Sequence, residues 1–204
     1  MNATVSRFVI LSPIGSFDAD ILCAVEKMVV RGLGLPCRIQ TLFDDIDFAW
    51  DARRGQFHST AILEKLAEQA PPDTLRVLAL TTRDLFIPIL THVYGEAQLG
   101  GISCIVSTCR LDDGISAACQ RRRYLARIVK ESAHELGHTF NLRHCKDNQC
   151  LMHYCRSISD VDHKQGRLCR YCNVMFGDGL KAMGIRQVPA AVRLTDPFTP
   201  DEEN

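Results

Sequence analysis

His134, Glu135, His138 and His144 are the residues whose types and spacing could do chemistry together. Two histidines four apart on a helix lie on one face, one turn above each other, close enough to hold a single metal ion. Glu135, beside the first of them, can reach a water on that ion and act as general base. On a straight helix His144 would sit about 15 Å up the axis from His134, beyond any shared coordination sphere. The chain must therefore break between His138 and His144. A left-handed residue breaks it with least strain, glycine by preference and asparagine next. Asn141 stands at that spot. Three neutral imidazoles with an open position for water make a catalytic zinc site, not a structural one.

Cys145 follows His144 directly, then come Cys150, Met152 and the pair Cys169 and Cys172. The whole series resembles the metzincin metallopeptidases and, within them, the archaemetzincins (archaelysins). That family is marked by His-Glu-x-x-His-x-x-Gly-x-x-His-Cys, then four residues and Cys-x-Met, then a distal Cys-x-x-Cys. Thr82-Arg83-Asp84-Leu85-Phe86 and Tyr94-Gly95-Glu96-Ala97-Gln98-Leu99-Gly100-Gly101 are similar to the family's strand-and-loop sequences ahead of the active helix. The resemblance covers most of the chain. It departs at Asn141, where the family has glycine, and in the 16 residues between Met152 and Cys169, one fewer than the family pattern. Neither departure removes a ligand.

The resemblance implies a zinc-dependent peptidase in which a zinc-bound water attacks the peptide carbonyl and Glu135 is the general base. It puts Met152 beneath the catalytic zinc, as the apolar floor of a tight turn. It also gives Tyr154 a position from which a phenol could reach the zinc or the oxyanion, with plain packing as the alternative. Two other readings stay open on the residues alone. One is a peptide-binding or regulatory protein that keeps the metal with little or no turnover. The other is a zinc-ribbon nucleic-acid module built on the basic run from Arg121 to Lys130 and on Cys169-Arg170-Tyr171-Cys172. Lysine plus arginine equals aspartate plus glutamate, 24 each, which disfavours a nucleic-acid partner.

Cys145, Cys150, Cys169 and Cys172 have the spacing of two knuckles separated by a loop, suited to a closed site of four thiolates. Cys155 and His163 are competing ligands. About sixty residues follow His144, too few for an independent core, and a metal would account for their cohesion. The expectation is two zinc ions per chain, one catalytic and one structural. Residues 1–143 then form an α/β subdomain with the active-site helix, and residues 144–204 a smaller subdomain with the four-cysteine site. Because Cys145 is bonded to His144, the second site would hold the third catalytic ligand.

A chain of 204 residues, 46% apolar and 24% charged, is an ordinary globular one. The apolar run from Phe8 to Ile14 is too short for a signal peptide, and no segment has the length of a membrane span. Ten cysteines without an export signal read as reduced thiols and metal ligands. Cys23, Cys37, Cys104, Cys109, Cys119 and Cys155 are expected as buried or partly buried free thiols. A cytoplasmic monomer acting on a peptide or protein substrate, with no nucleic-acid or membrane partner, is the reading.

These residues need a scaffold. Arg7 to Leu11 reads as a buried strand stopped at Pro13, and Asp18 to Arg31 as a helix with Ile21, Val25, Met28 and Val29 inward. Pro36 to Leu42 is a second strand, Phe43 to His58 a solvated surface excursion around Trp50, and Thr60 to Gln69 a helix burying Ile62, Leu63 and Leu66. Thr74 to Leu80 is a central strand. Ile102 to Ser107 is a fourth, which the resemblance makes the antiparallel strand on the upper rim of the cleft. Ser116 to Asn141 is the long helix, its stripe of Leu125, Ile128 and Val129 leading into the metal face. Its basic run of Arg121, Arg122, Arg123, Arg127 and Lys130 reads as solvated. Asp160, Asp162 and Lys164 read as a solvated turn, Tyr171 to Met183 as a last helix, and residues 201–204 as a frayed acidic tail. The fold class is α/β, metzincin-like: a twisted, mostly parallel sheet with an antiparallel edge strand, backing helices and the active-site helix.

Overall fold

The computed structural model describes residues 7–115 and 120–185, with Val192 and Leu194. β1 (Phe8–Ile14) opens the chain, and α1 (Ala19–Lys27) follows, running into a turn of π-helix at Met28–Gly32. Ile21, Val25, Met28 and Val29 are all buried, as their spacing requires. β1 continues through Pro13, which the sequence suggested as its stop. Val9 donates to the carbonyl of Pro36 and Leu11 accepts from Gln40, so odd-numbered residues of β1 turn their backbone groups toward β2 (Cys37–Ile39). At the level of Pro13 β2 has ended, and the missing N–H deprives no partner.

Residues 43–58 are not a plain solvated excursion. A 3₁₀ turn at Asp47–Ala49 leads into β3 (Trp50–Asp51) and β4 (Gln56–His58), and β4 pairs in parallel with β6 (Leu85–Phe86). Ile46, Ala49 and Phe57 are buried with Ile62, Leu63 and Leu66 of α2 (Ser59–Gln69). Their spacing among acids and arginines is too irregular to show as a period. Trp50 remains 49% exposed.

The main sheet has the order β2-β1-β5-β8-β7, with β5 (Thr74–Thr81) central and buried throughout. β5 alternates as a strand with both faces covered: Leu78 and Leu80 face the core shared with α1 and α3, while Val77 and Ala79 face α2. β8 (Ser103–Ser107) runs parallel to β5 and lies inside the sheet. It is therefore not the antiparallel rim strand that the resemblance suggested. That place belongs to β7 (Gly95–Ala97), which the short turn through Gly100 and Gly101 folds back against β8.

α3 (Arg121–Thr139) carries Leu125, Ile128 and Val129 in the core; residues 116–119, where the helix was expected to begin, lie outside the described residues. Its basic run is a solvated face only in part: Arg122 and Arg123 are exposed, Arg121 and Lys130 half-buried, and Arg127 buried. Arg121 pairs with Asp18 and Asp20, while Arg123 and Arg127 both grip Asp162. Arg127 is buried and also donates to the carbonyls of Leu111 and Asp113, and Lys130 donates to those of Val161 and Asp162. Asp162 belongs to α4 (Ile158–His163), which starts on a capping box between Ser157 and Asp160. Lys164, expected in solvent, is fully buried on Glu131 of α3 at 2.5 Å. Cations that oppose the helix dipole thus serve to fasten α3 to the start of α1 through Arg121, and to the C-terminal part through Arg123, Arg127 and Lys130. α5 (Arg170–Ala182) closes the fold, with Phe176 and Leu180 in the same core as α3. The acidic tail, residues 201–204, lies outside the described residues.

Candidate functional site

α3 ends where its histidines need it to end. Asn141 has φ +67°, the only positive φ among the described non-glycine residues. The last carbonyls of the helix are all engaged. Gly137 accepts from Phe140 and Leu142, His138 from Asn141 and from Gly100 of the β7–β8 turn. Thr139 accepts from Arg76 at 3.0 and 3.2 Å. Arg76 is buried on β5 with its guanidinium over the Phe140 ring, and burial pulls its pKa down. A cation at a helix C-terminus is favourable.

The turn brings the three imidazoles together. Ring centroids of His134, His138 and His144 lie 4.6, 4.8 and 5.4 Å apart, and one nitrogen from each falls within 4.8 Å of the others. Nδ1 of His134 lies 2.9 Å from the Leu151 carbonyl, and Nδ1 of His138 lies 2.7 Å from the Leu142 carbonyl. A carbonyl only accepts, so both Nδ1 atoms carry the proton and both Nε2 atoms are bare. These two Nε2 atoms face each other at 3.1 Å. Two lone pairs at that distance repel unless a cation takes both, and this donor set fits a divalent ion. Burial lowers the pKa of all three, His138 to about 4, keeping them neutral as ligands must be.

Glu135 is buried beside them, and burial, then Glu131 and Glu96, push its pKa well above the ordinary carboxylate range. Its seat is the bare backbone of Gly95 on β7. A Cβ there would lie 2.6 Å from Glu135 Cγ and 2.7 Å from the Ile105 carbonyl. One turn back on α3, Glu131 is held by Lys164. Gly95, Glu131, Lys164 and Arg76 were not singled out from the sequence as site residues. Glycine within a strand signals a close approach, so Gly95 had a legible cue; the other three read as ordinary charged residues.

Cys145, Cys150, Cys169 and Cys172 converge with their sulfurs within 4.8 Å of one another. Cys155 and His163 do not join them among the described residues. Cys145 and Cys169 sulfurs are 3.8 Å apart, too far for a disulfide, and all nine described cysteines are free thiols. Burial raises the pKa of Cys172, and that of Cys150 to about 11; at Cys169 burial is outweighed by the Cys172 N–H and the neighbouring thiols, which draw its pKa down. Four thiols so placed fit a closed tetrahedral site for a soft cation. Of the remaining cysteines, Cys104 is buried and Cys37 and Cys155 partly so. Cys23 and Cys109 are exposed, against expectation, since Cys23 sits off the apolar stripe of α1 and Cys109 lies in the turn after β8; Cys119 lies outside the described residues.

The loop between the two clusters serves both. Leu151, next to Cys150, supplies the carbonyl for His134. Met152 is fully buried beneath the helix, where a Cβ on Gly137 would meet its sulfur at 2.6 Å. Tyr154 is 40% exposed and its ring lies 4.9 Å from that of His144. His134, Glu135, His138, His144 and Tyr154 line a cleft of about 730 Å³, walled by β7 and the 87–93 loop on one side and by Arg143, His144 and residues 154–156 on the other.

A family model for Peptidase family M54 matches residues 7–176. Archaemetzincin from Methanopyrus kandleri is 39% identical over 138 residues, 68% of this chain and 75% of that protein. Archaemetzincin from Methanocaldococcus jannaschii is 34% identical over 163 residues, 79% of this chain and 88% of that protein. The crystal structure of the M. kandleri protein superimposes with a TM-score of 0.74 at 31% identity, covering 89% of this chain and 99% of its own. A zinc-dependent peptidase from Methanocorpusculum labreanum gives 0.71 at 26% identity, covering 82% and 99%. With the match running through the histidine triad and the cysteine cluster, this chain belongs to peptidase family M54, the archaemetzincins, a family of zinc metallopeptidases.

Proposed function

We propose that this chain hydrolyses peptide bonds in the cleft, with His134, His138 and His144 holding the catalytic zinc and Glu135 as general base. The observation that carries this is the pair of bare Nε2 atoms facing each other at 3.1 Å, each imidazole fixed through Nδ1 by a backbone carbonyl. When bound, the ion supplies Lewis-acid chemistry, acidifying a water and polarising a carbonyl. Glu135, seated against Gly95, takes the proton of the attacking water and returns it to the leaving amine. The raised pKa of its buried carboxyl suits it to hold that proton between the two steps. β7 pairs with β8 along one edge only, so its other edge is open to an extended peptide lying in the cleft. Tyr154 presents its hydroxyl from the opposite wall as a donor to the oxyanion. Asn141 sets the turn and Met152 forms the floor.

Cys145, Cys150, Cys169 and Cys172 hold a second, structural zinc, for two ions per chain. Residues 1–143 supply scaffold and active-site helix, and residues 144–204 close the cleft from below. Ligand thiols must stay reduced, which fits action on peptides or proteins in the cytoplasm. No helix among the described residues is long and apolar enough to cross a membrane.

Glu135→Ala tests the reading. It should keep both metals and the fold, yet lose about 10²–10⁴-fold in peptide turnover. His138→Ala should lose zinc and activity together. Cleavage by Glu135→Ala as fast as by the parent would overturn the assignment.

A further inference from the structure

We propose that the cleft selects peptides bearing a carboxylate, received by Arg143 and Arg156 on the wall beside His144. This rests on the peptidase reading of the same cleft. Arg143 precedes His144, Arg156 lies two residues beyond Tyr154, and the His144–Tyr154 ring contact draws the two segments together. Both arginines are exposed and line the cleft, and neither side chain has a hydrogen bond or ion pair among the described residues. The arginines of α3 behave otherwise, since Arg121, Arg123 and Arg127 each hold an aspartate.

Among the described residues, none of the acids that line the cleft bonds to either arginine. Glu131 is held by buried Lys164, and Glu96 accepts from the hydroxyls of Ser59 and Thr60. Glu135 sits against Gly95 as the proposed base. Asp160, the acid nearest in sequence to Arg156, is engaged by the backbone N–H groups of Arg156 and Ser157 and by the Ser157 hydroxyl. Bonds from neutral donors leave Glu96 and Asp160 charged but occupy their oxygens, so the two guanidinium forks keep their donors for a carboxylate brought in by the substrate. A guanidinium offers a planar fork that matches a carboxylate two bonds at a time, and low-dielectric walls strengthen the attraction. That carboxylate could be an aspartate or glutamate side chain or the free C-terminus of a peptide.

Matched fluorescent peptides separate the two sources, one pair differing by Glu against Gln, the other by a C-terminal acid against an amide. Binding to zinc-loaded Glu135→Ala protein is followed by anisotropy at low and moderate salt, alongside kcat/KM of the parent protein. In at least one pair the carboxylate member should bind about tenfold tighter at low salt. The ratio should shrink as salt rises and fall toward one in the Arg143→Gln/Arg156→Gln variant, and the pair that responds names the source. Equal affinity within both pairs, or a preference that survives the double variant, overturns the proposal. Equal cleavage of all four peptides would do so while leaving the peptidase reading intact. Selective binding by a parent that cleaves none of them would overturn the peptidase reading instead.

Discussion

Asn141 holds φ +67° with a side chain that tolerates the left-handed region. Asn141→Gly should leave the melting temperature unchanged or raise it slightly. Asn141→Val, branched at Cβ, should cost about 1–2 kcal/mol and lower the zinc content, because the turn carries His144 to its partners. Equal melting temperatures and zinc content for the two variants would show that the turn does not depend on this residue. Chemistry at this scale is local: an imidazole nitrogen is aimed by the carbonyl its other nitrogen meets, at Leu151 for His134 and Leu142 for His138.

At the scale of elements, β7 and α3 fit because Gly95 has no side chain. Gly95→Ala puts a methyl into the space of Glu135 and the Ile105 carbonyl. Turnover should fall by about 10²-fold, since displacing a reacting group by an ångström can cost that much. Zinc content should stay near that of the parent, as no histidine is touched; a parent-like rate would show that Glu135 works from another position. The α3–α4 junction makes a different prediction. Asp162 is partly desolvated, which opposes ionisation, but hydrogen bonds from Arg127 and Arg123 outweigh this and hold its pKa at about 2, below the 3.8 of a free aspartate. A depressed carboxyl pKa stabilises the fold above the unfolded value and loses that contribution as pH falls through the folded one. About 2 kcal/mol should therefore disappear between roughly pH 4 and pH 2. Asp162→Asn should flatten this limb of the urea-midpoint profile, and an unchanged profile would count against the pair.

For the molecule as a whole, the histidine and cysteine clusters are linked through backbone. Cys145 adjoins His144, and Cys150 adjoins the Leu151 carbonyl that orients His134. Cys169→Ser should therefore lower zinc in the histidine site although it removes none of those ligands. Protein never exposed to chelator should hold two zinc ions per chain by elemental analysis, the thiolate-bound ion leaving more slowly. One ion per chain, or a Cys169→Ser protein with a fully loaded histidine site, would break the coupled picture.

The residues of the histidine and cysteine clusters were legible in the sequence because they follow local rules. Helical spacing puts His134 and His138 on one face, an αL-competent residue must precede His144, and paired cysteines mark a knuckle. The buried strands and helices were legible for the same reason, as in the continuous apolar run of β5 and the inward stripe of α1. What tertiary structure decided lies between segments far apart in the chain. Which strand forms the edge depends on the Gly100–Gly101 turn, and this gave the rim to β7 and moved β8 inside. The arginines of α3 looked like a solvated face until Asp18, Asp20 and Asp162 came within reach from other elements. Lys164 shows the reason most plainly. A lysine beside acids implies water by composition, and only the approach of Glu131 from α3 makes its burial affordable, because a charge leaves solvent when its partner is already in place.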